Sequence, residues 1–237
     1  MSIVLIQNKD KKHNEFWTEG RDLANFPNPS RILICSKPSC GKSTTVLNLI
    51  LRQDPPFQKI YLLHPDLKNT MDDDDEDEMK VQEYESIDFI PLYGIPDPVY
   101  FKPIDKKDAK TKRLLVIDDM ELKTLNKDEK KRLNKVLSFS SSHYNMTVVT
   151  TSQDIFTQLN VALVRFCNVF IVYPYSSINY NQMIMNRFGI SKKLQEKIID
   201  EMKGYGVHDS ICIDRTENSP CPFRKNLYQP LPHLSFY

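Results

Sequence analysis

The sequence lacks the cysteine spacing of a zinc site or a disulfide framework, because its five cysteines are scattered and none forms a C-x-x-C pair. Several lie in apolar strand patterns, where a thiol packs as a small hydrophobe, so a reducing compartment fits best. No apolar run approaches the roughly 18 residues that span a bilayer. An excess of charge is also absent, since the formal net charge is +1. Contact with nucleic acid would therefore need a local patch.

The chain divides into three segments on composition. Residues 1–30 are expected to form a leader, 31–227 one α/β domain, and 228–237 a Pro-rich tail or arm. The leader opens on a short apolar run without a basic segment before it or a cleavage site after it, which predicts a strand and a protein that is not secreted. The acidic stretch 66–86 repels itself, so we expect an exposed, mobile loop there.

Strand and helix patterns alternate within the domain. Strands are predicted at residues 31–35, 59–64, 87–93, 113–117, 146–151, 168–173 and 210–214. Helices are predicted at 42–52, 126–139, 155–164, 177–188 and 191–203. Near-continuous apolar strands alternating with helices predict an α/β fold with a mostly parallel sheet and helices on both faces. Residues 222–227 are expected to add a C-terminal antiparallel hairpin.

The first predicted strand runs directly into a phosphate-binding loop pattern. The form G-x-x-x-x-G-K-[ST] is met except at its first residue, which is Ser36. Gly41 would let the chain approach the phosphates, Lys42 would place an ammonium against them, and the Ser43 hydroxyl would bind Mg²⁺. The following helix would aim its positive end at the anion. The predicted loop consists of Ser36, Lys37, Pro38, Ser39, Cys40, Gly41, Lys42, Ser43 and Thr44.

Polar residues follow two further strands. Asp118 is expected to bind Mg²⁺ opposite Ser43, and Asp119 to orient the attacking water or accept its proton. Gln153 would sense the γ-phosphate through its amide. Ligands bind at the carboxyl ends of parallel strands, so these side chains should meet at one edge of the sheet. The alternative is that the two aspartates only end a strand and begin a turn.

Hydrolysis also needs a cation as charge moves toward the leaving oxygens. Lys37 could provide it from within the loop. Arg165 is the first choice, acting either on the site of its own chain or on that of a neighbouring subunit. Further candidates are Arg113, Arg132 and Arg187. The lysine-rich segments 102–113 and 123–135 could contact DNA phosphates, but such segments are more often solvated faces.

In this order, the motifs resemble those of the viral genome-packaging ATPases of the FtsK–HerA superfamily. The matching segments are 32–44, 114–119, 142–153 and 214–225, together with Arg165. The resemblance implies a RecA-like P-loop NTPase that hydrolyses ATP with Mg²⁺ and drives double-stranded DNA into a preformed capsid. It implies a ring of identical subunits, a pentamer or hexamer, that works with capsid or vertex proteins. The implied location is the host cytoplasm or a viral factory, or the virion.

The residues leave three other functions open. A nucleotide kinase would need an arginine-rich lid, whereas segment 102–113 is dominated by lysine. A partitioning-type ATPase would use Lys37 across a dimer. A non-catalytic capsid-associated protein could keep an inactive nucleotide site, although the joint presence of the loop, both aspartates and the glutamine argues against it.

Overall fold

The computed structural model describes residues 26–69, 84, 87–159, 161–217 and 219–236. Within them, nine strands form one sheet in the order β3-β2-β4-β5-β1-β6-β7-β8-β9. The strands are β1 Arg31–Cys35, β2 Lys59–Leu63, β3 Ile90–Leu92, β4 Arg113–Ile117, β5 Met146–Ser152, β6 Val169–Val172, β7 Ile211–Asp214, β8 Phe223–Lys225 and β9 Gln229–Pro230. The strands predicted within these ranges are therefore present.

The first six strands are parallel, and the last three are antiparallel to their neighbours. β5 lies between β1 and β4, so the ends of these three strands are adjacent. β4 and β5 are buried along their whole length, as expected of strands covered on both faces. The expectation of a mostly parallel sheet with a C-terminal antiparallel hairpin is confirmed.

Helices cover both faces of the sheet. They are α1 Lys42–Leu51, α2 Pro65–Asn69, α3 Lys127–Lys135, α4 Ser141–His143, α5 Val161–Phe166, α6 Ile178–Arg187 and α7 Lys192–Met202. A π-helical turn, Val136–Ser140, joins α3 to α4, and 3₁₀ helices span Pro98–Phe101 and Asp108–Lys110. Alternate residues of β1 belong to two separate cores, with Leu33 in one and Ile32 in the other. No helix in the described ranges is long and apolar enough to cross a membrane.

Local sequence explains where the longer helices begin and end. Asn126 and Glu129 form a capping box that starts α3 at the predicted position. Gly189, at φ 70°, ends the predicted helix that contains α6, and its N–H donates to the Asn186 carbonyl. The helix expected at 155–164 is largely wrong, because only its second part forms α5. Residues 155–158 form a turn instead. In this turn Asp154 Oδ1 accepts the Phe156 N–H, and Gln158 Oε1 accepts the N–H groups of Gln153 and Asp154.

Two further expectations change with the structure. The tail does not project as an arm: β9 pairs with β8, and Leu231 and Leu234 are buried in the core. The acidic loop was expected to begin at residue 66, but α2 continues to Asn69 and Tyr84 is buried. The other residues of 70–86, and the strand expected near the amino terminus, lie outside the described residues.

Candidate nucleotide-binding site

The phosphate loop connects β1 to α1. Gly41 precedes α1 with φ 103°, a value that favours glycine, and Ser39 also has positive φ, 59°. Ser36, which replaces the first glycine of the pattern, continues the pairing of β1: its N–H donates to the Ser152 carbonyl over 3.2 Å. Its φ is not positive, so serine fits at this position without backbone strain.

Two side chains from other segments brace the loop. The Tyr173 hydroxyl lies 3.2 Å from the Gly41 carbonyl and forms a hydrogen bond with the Thr45 hydroxyl. The His208 ring nitrogen Nδ1 lies 3.2 Å from the Cys40 carbonyl. The loop conformation is therefore tied to the end of β6 and to the segment before β7.

Three of the predicted residues meet at the carboxyl edge of the sheet. The Lys42 ammonium lies 3.2 Å from Asp119 Oδ2, and the two side chains are 8% and 24% exposed. The Gln153 amide donates to the same oxygen over 2.8 Å. Asp119 adopts φ 48°, a conformation that is uncommon outside glycine and often marks functional positions. The expected convergence of the ends of β1, β4 and β5 is what brings Lys42, Asp119 and Gln153 together.

Asp118 is buried beside this group, and both of its oxygens accept hydroxyl donors. Thr151 Oγ1 donates to Oδ1, and the Tyr84 hydroxyl donates to Oδ2 over 2.8 Å. Burial raises the pKa of the Asp118 carboxyl, and these two hydrogen bonds partly offset the rise. Thr151 Oγ1 also accepts the Asp119 N–H over 3.0 Å. One threonine thus links the two acids.

The end of β5 is held by a single acceptor. Gln158 Oε1 accepts the Ser152 hydroxyl at 2.8 Å and the backbone N–H groups of Gln153 and Asp154 at 2.8 and 3.1 Å. The Tyr175 hydroxyl donates to the Gln153 carbonyl over 2.8 Å. These bonds fix the backbone from which the Gln153 amide reaches Asp119.

The oxygen donors of the site fit Mg²⁺. Asp119 Oδ1 is buried and has no hydrogen-bond partner among the described residues. No cluster of three or more acidic, histidine or cysteine side chains with metal-binding geometry occurs in the ranges given above. Mg²⁺ commonly binds one or two protein oxygens while phosphates and water complete its shell. Ser43 and Asp119 both line the open cleft, so the Ser43 hydroxyl could supply one of those oxygens.

Arg165 does not approach the site of its own chain. It is exposed at the end of α5, and the next residue, Phe166, accepts the Arg31 Nε–H over 2.6 Å. Arg31 begins β1, whereas the phosphate loop leaves its other end, about 13 Å away at 3.3 Å per residue. Arg165 therefore lies at the amino edge of the sheet. At this position Arg165 cannot reach the phosphate loop of its own subunit, so the prediction that it acts there is wrong.

Three of the other predicted cations are engaged elsewhere, and Arg132 lies on α3 and does not line the cleft. Arg113 is 1% exposed and forms an ion pair with Asp108 at 2.6 Å, so it has a structural role at the start of β4. Arg187 stacks on the Phe156 ring. Lys37 donates to the Ser176 hydroxyl over 2.7 Å and does not line the cleft.

Among the lysine-rich segments, Lys112 is buried and donates to the Pro55 carbonyl, so it cannot contact DNA. Its neighbours at 102, 106, 107 and 110 are exposed. The three lysines expected to share one face of the helix, at 127, 131 and 135, are exposed as well. The exposed lysines of these segments fit a solvated face and a DNA-contacting face equally, so both interpretations remain open.

A cleft of about 990 Å³ opens in front of the loop. At one end it is lined by the loop, Asp119 and Gln153, and at the other by α1 and the turn between β8 and β9. Its size is in the range of small-molecule sites.

Tyr84, Gln158 and Tyr173 belong to this site, although no sequence pattern indicates it. Tyr84 falls in the acidic stretch, which was interpreted only as a loop, and Gln158 falls in a predicted helix. Their contacts join distant segments and leave no periodic signal in the sequence. Thr151 was recognised as a strand residue, but its hydroxyl was not assigned a role.

No protein-family model and no curated protein sequence matches the chain significantly. Solved structures with the same fold include B204, the DNA-packaging ATPase of Sulfolobus turreted icosahedral virus, at 15% identity and a TM-score of 0.54, covering 86% of this chain and 98% of that one. The genome-packaging NTPase B204 of Sulfolobus turreted icosahedral virus 2 in complex with AMPPCP, at 11% identity, has a TM-score of 0.53 and the same coverage.

The conjugation coupling protein TcpA of pCW3 with ATPγS is similar as well. Its TM-score is 0.51 at 12% identity, and the match covers 86% of this chain and 61% of TcpA. These structures confirm the resemblance at the level of the fold, which is that of a P-loop ATPase.

Proposed function

We propose that the protein is an ATPase that converts ATP and water to ADP and phosphate and uses the energy to move double-stranded DNA into a viral capsid. The observation that carries the hydrolytic part is that the Lys42 ammonium and the Gln153 amide lie 3.2 and 2.8 Å from the same oxygen of Asp119, next to the buried Asp118. The translocation part is supported by the ordered sequence motifs and by the fold shared with the packaging ATPase B204.

The geometry suggests how the residues act. Without nucleotide, Asp119 neutralises Lys42. A triphosphate in the loop offers Lys42 stronger anionic partners, and Asp119 then has an acceptor free for the attacking water. Gln153 keeps its bond to Asp119 and can donate to the γ-phosphate. Ser43 and Asp118 would hold Mg²⁺, Asp118 through water or through the second lone pair of an oxygen that already accepts a hydroxyl, and the ion would neutralise charge that develops on the phosphates.

We propose that Arg165 acts on the nucleotide site of a neighbouring subunit. Because it lies exposed at the amino edge of the sheet, it can reach a phosphate only in another subunit, as in a ring of identical chains. Arg165→Ala should therefore reduce turnover at least about 100-fold and leave ATP affinity within about threefold. A mixture of Arg165→Ala and Lys42→Ala subunits should regain activity. At some interfaces of such a ring, the intact loop of an Arg165→Ala subunit faces the intact arginine of a Lys42→Ala subunit. Equal loss of binding and turnover, or no recovery on mixing, would exclude this role.

The alternatives gain less support. A partitioning-type ATPase would direct Lys37 across a dimer, but this lysine donates to Ser176 of its own chain. A nucleotide kinase would need cations around an acceptor pocket, whereas Arg113 is buried far from the cleft at the amino end of β4. We propose that the protein acts in the host cytoplasm or a viral factory, or in the virion, with capsid or vertex proteins.

The test measures ATP turnover with and without double-stranded DNA and, in the same sample, the mass of the assembled protein. We expect the assembled form to be active and DNA to stimulate it. Phosphate transfer to a nucleoside would indicate a kinase, and nucleotide-dependent dimers a partitioning ATPase. ATP binding without turnover, even with DNA and assembled subunits, would indicate a non-catalytic protein.

A further inference from the structure

The cleft is longer than the phosphate loop requires. Thr44, Asn48 and Arg52 all line it, and their spacing of four residues places them on one face of α1 and at its end. From Thr44 to Arg52 the helix rises about 12 Å. The triphosphate would occupy the end beside Lys42, so the remaining length is available to the nucleoside.

The far end of the cleft contains an aromatic ring with an exposed surface. Tyr228 is 50% exposed and lines the cleft. The Arg52 guanidinium carbon lies 5.0 Å from the centre of its ring, so a cation covers part of the ring. Tyr228 thus has a cation against its ring, and half of the side chain remains exposed at a position that lines the cleft.

The turn that carries this ring is well fixed. Asn226, at φ 56°, accepts the Ser210 N–H at 2.9 Å and donates to Asp209 at 3.2 Å. Leu227 is buried in the core beneath the turn. A ring on a fixed backbone loses little conformational entropy when a ligand stacks on it.

We propose that Tyr228, held by Arg52, is the stacking surface for the adenine base of the bound ATP. Two fused rings cover more of the tyrosine than a single ring does, and stacking on an aromatic side chain depends little on the base's hydrogen-bonding groups. This inference rests on the proposed function, since it assigns the base end of the same nucleotide site.

The test separates the base from the phosphates. Calorimetry would measure the affinity of the wild type and of Tyr228→Ala for the β,γ-methylene analogue of ATP and for inorganic tripolyphosphate, each with Mg²⁺. We expect Tyr228→Ala to bind the ATP analogue about tenfold more weakly and tripolyphosphate within about twofold of wild type. Tyr228→Phe keeps the ring and should bind as wild type. Tyr100→Ala, which removes an exposed tyrosine outside the cleft, is the matched control.

Each other outcome overturns the inference. Unchanged affinity of Tyr228→Ala for the analogue would reject the stacking role while leaving the nucleotide site in place. Equal losses for both ligands would mean that the ring supports the loop and not the base. Wild-type protein that binds neither ligand would reject the proposed function itself. Should the alanine variant fail to fold, Tyr228→Leu keeps a bulky apolar side chain without the aromatic plane and should show the same selective loss.

Discussion

Lys42→Ala should abolish turnover and cost little stability. The Lys42 ammonium and Asp119 carboxylate are 3.2 Å apart and mostly buried. Their Coulomb energy at an effective dielectric of 20 is about 5 kcal/mol, but desolvation of the buried ammonium offsets most of it, and the Asp119 side chain, which is 24% exposed, can be hydrated once Lys42 is removed. Asp119 also keeps the Gln153 amide. We therefore expect the free energy of unfolding to fall by about 1 kcal/mol, and kcat/KM by at least about 1,000-fold.

Lys59→Ala is the matched control. Lys59 lies 3.3 Å from Asp108 at the start of β2, on the opposite edge of the sheet from the site. Its loss should destabilise the protein by at most about 1 kcal/mol and leave turnover within about twofold. Denaturant unfolding and steady-state ATPase assays measure both effects. A loss of less than tenfold in kcat/KM for Lys42→Ala, or equal losses for the two variants, would refute the assigned site.

Three further changes test other parts of the structure. Gln153→Glu places a carboxylate against Asp119 in place of the amide donor, so single-turnover hydrolysis should slow about 100-fold while ATP affinity changes less than about threefold; a binding defect of equal size would contradict this. Tyr84→Phe removes a hydroxyl from Asp118, so the Mg²⁺ concentration for half-maximal nucleotide binding should rise about tenfold, and an unchanged Mg²⁺ titration would count against the contact. Burial raises the pKa of Cys212 to about 11, so its thiol is almost entirely neutral near pH 8. All five cysteines are buried and should react with a thiol reagent at that pH only on unfolding, and rapid labelling of native protein would speak against the fold.

The sequence predicts the part of the site that lies just beyond the carboxyl ends of the apolar strands β1, β4 and β5. Lys42, Asp119 and Gln153 each follow an apolar strand, and parallel strands bring their carboxyl ends together. Three such positions therefore specify the convergence without knowledge of any side-chain contact. Because β5 lies between β1 and β4, Lys42 and Gln153 both come within hydrogen-bonding distance of Asp119.

What could not be predicted depends on contacts between distant segments. Tyr84 reaches Asp118 from 34 residues away. Gln158 bonds the end of β5, and this bond competes with the helix that its sequence favours. Arg165 lies near the end of the short helix α5, where the chain has come back to the amino edge of the sheet to begin β6. Its position therefore depends on the length of α5. Periodicity carries no information on any of these three.

The central claim is that Lys42 exchanges Asp119 for a nucleotide phosphate at the carboxyl edge of the sheet. An experimental structure with Mg²⁺ and a non-hydrolysable ATP analogue tests it most directly. We expect a γ-phosphate within hydrogen-bonding distance of the Lys42 ammonium, with the separation between Lys42 and Asp119 longer than the present 3.2 Å. A nucleotide bound elsewhere, or a Lys42 that stays on Asp119 with the analogue in place, would contradict it.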